Sequence, residues 1–127
     1  MTRRSIYSGS KFETLAGYAR AVADGEWVFV SATAGHDPAT GTLAPDVRGQ
    51  AARALKTIAA ALAEADAAMS DIVSVRVYLA DRDDVLAVSE ILGRTFTDPR
   101  PTNATIICGF PVEEIKVEFE VTALRRR

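Results

Sequence analysis

Apolar residues recur at helical spacing in two stretches of the chain and alternate with polar ones in two others. Val47, Ala51, Ala54, Leu55, Ile58, Ala61, Leu62 and Ala65 form one stripe, and Arg48, Arg53, Lys56 and Glu64 fall away from it. That period predicts an amphipathic helix. It opens at Pro45-Asp46, where the Asp46 carboxylate can accept from free backbone N–H groups. A second helix is predicted from Asp81–Asp84, with Val85, Val88, Leu92 and Phe96 on one face. It must stop by Asp98-Pro99, because proline restricts the residue before it. Between and after the helices, Ile72–Leu79 and Ile115–Leu124 alternate with period two, the signature of half-buried strands. Val73, Val75, Val77 and Leu79 form one inward row, and Ile115, Val117, Phe119 and Val121 the other. Residues 26–33 follow a turn at Gly25 and read as the hairpin partner of 19–23.

The order is two or three strands, then helix, strand, helix, strand, strand. Each helix links strands that can lie parallel, and right-handed crossovers place both helices on one face of the sheet. The fold class is therefore a two-layer α+β sandwich with a mixed sheet, expected to occupy residues 1–127 as a single domain. One sheet face is left bare. It is expected to carry Tyr18, Arg20, Trp27, Phe29, Ser31, Arg76, Asn103, Thr105, Ile107, Glu118 and Glu120, while Ala104, Ile106 and Cys108 point to the core. A face that mixes Trp, Phe and Ile with charges is a poor solvent face, so a second copy of the chain is expected to cover it.

Composition narrows the function classes. The 127 residues are 48% hydrophobic and 25% charged, with a net charge of −2, which is a globular balance. The pI of about 5.4 provides no basic stripe for nucleic acid. No apolar run approaches the ~20 residues of a membrane span. The basic start Met1-Thr2-Arg3-Arg4 is followed by Ser5-Ile6-Tyr7 instead of an apolar leader, so no signal peptide is expected. Cys108 is the single cysteine. With no intrachain disulfide available, the expected compartment is the reducing cytoplasm. Arg125–Arg127 read as a solvated tail. His36 stands alone in a Gly-His-Asp-Pro turn, without the partner spacing of a metal site, and Cys108 has no histidine near it in sequence to activate it.

The chain resembles the Rid family, also called YjgF or endoribonuclease L-PSP-like. The resemblance rests on Gly17-Tyr18, Trp27-Val28-Phe29-Val30-Ser31, His36-Asp37-Pro38-Ala39-Thr40-Gly41, Asp46-Val47 with Gln50, Asp71–Leu79 with Asp81, Arg100-Pro101, and Val117-Glu118-Phe119-Glu120. It runs nearly end to end. It implies a chorismate-mutase-like fold and a homotrimer whose sheets form a central barrel. It also implies small-molecule clefts between subunits, and hydrolysis of 2-imino acids or their enamine tautomers without metal or organic cofactor. The family's cleft tyrosine, cleft serine and water-positioning carboxylate correspond to Tyr18, Ser31 and Glu118. Four positions depart from the pattern. Asn103 replaces the arginine that grips the substrate carboxylate, Thr105 replaces a cysteine, Ser89 a helix asparagine, and Ala32 the glycine after the serine.

Asn103 is the departure with chemical consequences. Arginine offers a permanent charge and a planar fork of donors, whereas an amide offers one donor pair and one acceptor. Losing a charge-assisted pair costs about 1.5–3 kcal/mol, so weak or absent 2-imino acid activity is expected, and a neutral amide or carbonyl ligand would suit Asn103 better. Arg20, two residues beyond Tyr18, is a candidate for the missing charge, against the plainer expectation that it pairs with Glu118 or Glu120. The catalytic expectation falls on Glu118, and the ligand-binding expectation on Tyr18, Ser31, Ala32, Asn103, Thr105, Ser89 and Arg20. The alternative function is a non-catalytic homotrimer that binds a small ligand in the same clefts. An endoribonuclease or translation-inhibiting role is weaker, because the charge balance gives it no support.

Overall fold

The computed structural model describes residues 2–126. Its elements run β1 (Arg3–Ile6), α1 (Lys11–Ala16), β2 (Ala21–Asp24), β3 (Trp27–Ala34), α2 (Val47–Glu64), β4 (Ile72–Leu79), α3 (Val85–Thr95), β5 (Thr102–Ile107) and β6 (Val117–Leu124). The six strands form one sheet in the order β1-β2-β3-β6-β4-β5. Only β4 and β5 are parallel neighbours; every other pairing is antiparallel. Helices α2 and α3 pack on one face of this mixed sheet, giving the expected two-layer α+β sandwich.

Helix α2 begins where Asp46 accepts from the Gly49 N–H at 2.8 Å. It buries Ala51, Ala54, Leu55, Ile58, Ala61 and Leu62, and Ala65 after it is buried too. These side chains meet Val28 and Val30 of β3, Val75, Val77 and Leu79 of β4, and Val117, Phe119 and Val121 of β6 in one core. Fully burying a side chain such as Ile58 or Leu62 contributes roughly 1.5–3 kcal/mol. Alternation on β4 and β6 holds, with one correction at the start of β4. Ile72 pairs with Ala123 and Ser74 with Thr122, so Val73 is an extra residue against its partner strand. This bulge puts Ile72 in the core row in place of Val73.

The largest correction concerns β5. In-register neighbours in a sheet point to the same face. Asn103, Thr105 and Ile107 pair with Val75, Val77 and Leu79, the core row of β4. They therefore lie on the helix side of the sheet, whereas Ala104 and Ile106 share the bare face with Arg76 and Tyr78. This is the reverse of the expected arrangement. The small polar run Thr102–Thr105 carries no amphipathic signal that could have fixed the facing. As an edge strand, β5 is exposed along its whole length, and Cys108 beyond it is only partly buried.

Arg125 is a second correction. Its guanidinium donates to the carbonyls of Ala65, at 2.6 Å, and Gly25. It ties the end of α2 to the β2–β3 turn and is not a solvated tail; Arg127 lies outside the described residues. Among the described residues, no helix is long and apolar enough to cross a membrane.

Candidate functional site

The candidate site is a cavity of about 630 Å³ at the end of the sheet where β3 and β6 meet. Its first wall is α1, an element absent from the predicted order. A six-residue helix is too short for a periodic apolar signal, but its ends are legible. Ser10 caps it, accepting from the Phe12 N–H at 3.3 Å, and Gly17 closes it at φ 73°, a left-handed conformation that suits glycine. Ser10-Lys11-Phe12-Glu13 has the spacing of a capping box. Here, however, Glu13 reaches back to Ser8, accepting from its N–H at 3.0 Å and from its hydroxyl.

Glu13 is 4% exposed and Arg20 6%. They form a buried ion pair, with Arg20 Nε donating to Glu13 Oε2 at 3.0 Å. Arg20 Nη1 also donates to the Ala32 carbonyl and to Thr33 Oγ1, both at 3.0 Å, and Nη2 to the Tyr18 hydroxyl at 3.3 Å. The guanidinium stands 5.3 Å from the centre of the Tyr18 ring. Four of its five N–H donors are thereby committed within the chain. The expected partners Glu118 and Glu120 are not the ones it takes. Its charge is matched by Glu13 within the chain.

A bulge in β3 shapes the second wall. Val30 pairs with Val121 and Thr33 with Phe119, so Ser31 and Ala32 stand opposite Glu120, two residues against one. The extra residue turns Ala32 outward into the cavity while Thr33 returns to the interior. Ser31 does not line the cavity; its hydroxyl donates to the Ala19 carbonyl at 2.7 Å. The third wall is the loop after Gly35, where His36 bridges to Leu43. His36 is half-buried, 6.1 Å from the Phe12 ring, and forms part of the cavity instead of a plain surface turn. Burial, and secondarily the Arg20 charge, lowers its pKa below the ordinary 6.5.

Glu118 of β6 completes the site. It points away from the core row, beside Ala34, and lines the cavity half-buried. Among the described residues, no hydrogen bond or ion pair holds its carboxylate. Burial raises its pKa above 4.5, against a smaller downward pull from Arg20. Glu120, one pleat along, is instead held by the Tyr78 hydroxyl at 2.7 Å and by Arg76 at 3.8 Å. No group of three or more His, Cys, Asp or Glu among the described residues could hold a metal ion.

Residues 8–125 match the family described as Endoribonuclease L-PSP. The chain belongs to this family, the Rid or YjgF proteins. A RutC family protein of Pyrococcus abyssi is 27% identical over 126 residues, covering 98% of this chain and 99% of that one. A 2-iminobutanoate/2-iminopropanoate deaminase of Rattus norvegicus is 31% identical over 124 residues, covering 96% and 90%. A crystal structure of a YjgF/YER057c/UK114 family member from Mycobacterium tuberculosis superimposes with a TM-score of 0.88 at 31% identity, covering 97% of this chain and 99% of that one.

The candidate positions, those carried over from the Rid family together with Arg20, do not share one cavity. Tyr18, Ala32, Arg20 and Glu118 line one cavity. Asn103 lines another, of about 310 Å³, between α3 and β5. Thr105 is beside it, its hydroxyl donating to Asn103 Oδ1 at 2.9 Å. Ser89 is exposed on α3 and lines neither. Asn103 and Glu118 sit on opposite faces of the same sheet, so within one chain they cannot act on one ligand. Sequence reasoning missed Glu13 and Phe12, and the signal for both was the Ser10-to-Glu13 spacing with Gly17 behind it.

The raised pKa of Glu118 has a sign that can be checked. A carboxyl raised on folding stabilises the fold fully below its unfolded pKa, and that contribution is lost as pH rises through the folded value. At neutral pH the ionised Glu118 is therefore a cost. Glu118→Gln, which mimics the protonated carboxyl, is expected to be more stable than wild type at pH 7, with the difference vanishing as the pH falls below about 4.5. Urea midpoints at the two pH values measure this; a midpoint loss at pH 7 would show that the carboxylate is held by something stabilising.

Proposed function

We propose that this Rid-family protein is a homotrimer that binds a small imine- or enamine-type metabolite in clefts between subunits and hydrolyses it to the carbonyl compound and ammonia. The observation that carries this is Glu118, a half-buried, unpaired carboxylate of raised pKa facing a cavity of ligand size. In the proposed reaction Glu118 accepts a proton from water as the oxygen adds to the C=N carbon and returns it to the nitrogen, giving a carbinolamine. Glu118 then moves the hydroxyl proton to the nitrogen as the C=O bond forms, the C–N bond breaks and ammonia leaves. Tyr18 orients the ligand, and the exposed Ala32 at the bulge forms the cavity wall. Asn103, Thr105 and Ser89 enter each cleft from the neighbouring subunit, which resolves their separation from Glu118 within one chain. The exposed apolar residues support assembly. Trp27 and Phe29, 45% and 49% exposed, stack on the bare face at 6.3 Å, and Ile106 lies on that same face.

Activity toward short 2-imino acids is proposed to be weak, because Asn103 is neutral. The test is hydrolysis of an imine freshly made from an amino acid by an oxidase. Asn103→Arg should raise kcat/KM about tenfold or more, the worth of a charge-assisted pair. Glu118→Ala should lower it by about a hundredfold or more, as loss of a general base does. An unchanged rate in Glu118→Ala would remove the hydrolytic role and leave the cleft as a binding site. Sedimentation of a monomer at micromolar concentration would remove the trimer.

A further inference from the structure

Thr33 shows how the buried Arg20 guanidinium sets the direction of a hydroxyl. Its Oγ1 accepts from Arg20 Nη1 at 3.0 Å, and its own hydrogen goes to the Ser31 carbonyl at 2.7 Å. An arginine side chain has donors and no acceptor, so a hydroxyl hydrogen does not face it. Tyr18 stands in the same relation to the same guanidinium. Its hydroxyl oxygen accepts from Arg20 Nη2 at 3.3 Å, and its hydrogen is turned away. Unlike Thr33, Tyr18 has no protein acceptor for that hydrogen among the described residues. It is half-buried and lines the cavity that Glu118 faces.

The geometry leaves the hydroxyl little choice. Arg20 is fixed by three further bonds, to Glu13, the Ala32 carbonyl and Thr33, each at 3.0 Å. Its guanidinium stands 5.3 Å from the centre of the Tyr18 ring. Conjugation keeps a phenol O–H near the plane of its ring, which gives the hydrogen two positions. The one beside Arg20 is closed by the N–H there, so the hydrogen takes the other. Accepting from a cation also polarises the hydroxyl and strengthens it as a donor. We infer that Arg20 is a positioning residue that turns the Tyr18 O–H toward the ligand, so that Tyr18 selects a ligand with a lone pair at that point. A carbonyl oxygen or an unprotonated imine nitrogen answers it; an iminium or ammonium nitrogen, having no lone pair, does not. The inference rests on the proposed reading of this cavity as the ligand site, and adds a fixed polarity to Tyr18.

The probe is 2-butanone labelled with carbon-13 at its carbonyl. Its one polar atom is an acceptor, and the labelled signal moves downfield when that oxygen accepts a hydrogen bond. Binding to the full chain is followed by NMR titration, and wild type is expected to give the downfield displacement. Tyr18→Phe should abolish it and weaken binding about threefold to tenfold, the worth of one neutral hydrogen bond. Glu13→Leu with Arg20→Met should reduce both displacement and affinity, and added to Tyr18→Phe should reduce neither further. Arg20→Lys keeps a charge for Glu13 but lacks the fork that also reaches Tyr18, and should show the same reduction. Unchanged circular dichroism confirms that the variants fold. Additive losses, a displacement that survives in Tyr18→Phe, or no butanone binding by wild type each overturns the inference. The coupled loss in a protein that hydrolyses no imine would uphold it while removing the hydrolytic reading. Imine hydrolysis with additive losses would do the reverse.

Discussion

Replacing Gly35 by alanine should leave a protein that barely folds. The backbone at Gly35 lies against the start of α2. A Cβ there would stand 2.4 Å from Gln50 Cα, 2.5 Å from its carbonyl oxygen and 2.8 Å from its carbonyl carbon. These are backbone atoms, so no rotamer change can yield. Gln50 itself is 1% exposed and is a junction. Its amide donates to the carbonyls of Ala44 at 2.9 Å and Glu114 at 3.1 Å, and its side-chain oxygen accepts from the Lys116 N–H at 2.8 Å. Pushing α2 away from Gly35 strains all three bonds, one of which leads into β6 just before Glu118. Overpacking alone costs about 1–3 kcal/mol, and each buried polar group left unpaired about 1–3 more. Against a total stability of about 5–15 kcal/mol, Gly35→Ala should lower the urea midpoint drastically. Gly109, whose Cβ would meet nothing within 4 Å, is the control, with an expected change within about 0.5 kcal/mol. Equal midpoints for the two variants would show that the Gly35–Gln50 approach is not the constraint described.

Much of this framework is legible in the sequence because its signals are long. The stripe from Val47 to Ala65 spans five turns, and the rows on β4 and β6 run for four alternations, so helix and strands are fixed by period alone. What the pattern conceals is where the period breaks. The β3 bulge turns Ala32 into the cavity and the β4 bulge exchanges Val73 for Ile72, yet an extra residue in a strand has no compositional mark when its neighbours are Ser, Ala or Val. On β5 the failure has another cause. Being an edge strand, it buries neither side, so apolar Ile106 and Ile107 can face opposite ways without penalty and the facing of Asn103 is set by register with β4. The site divides along the same line. Tyr18 and Glu118 were found by resemblance and stand on one cavity. The pairing that positions Tyr18 depends on Glu13, which lies in a helix too short to announce itself.

The second large effect is expected at that pair. Glu13→Ala leaves the Arg20 guanidinium buried among Ala32, Thr33 and Tyr18 with no carboxylate. Breaking a buried pair by removing one partner costs about 3–5 kcal/mol, because the remaining charge is uncompensated. The loss also frees the two Ser8 groups that Glu13 accepts from, so α1 should detach from the strand end and the cavity lose a wall. Removing both charges is a different experiment. Glu13→Leu with Arg20→Met replaces the pair by apolar side chains of similar length, an exchange that is often neutral or stabilising. The double variant should therefore be more stable than Glu13→Ala, while its cavity, lacking the bonds from Arg20 to Tyr18 and to the Ala32 carbonyl, should hold ligand less well. Denaturation midpoints and probe binding, read on the single and double variants, separate the two effects. A full double-mutant cycle with Glu13→Leu, Arg20→Met and both together should show coupling of at least about 1 kcal/mol, as groups in direct contact do. Additive losses would mean that Arg20 is held by its carbonyl and hydroxyl acceptors alone, and that Glu13 serves only to cap Ser8.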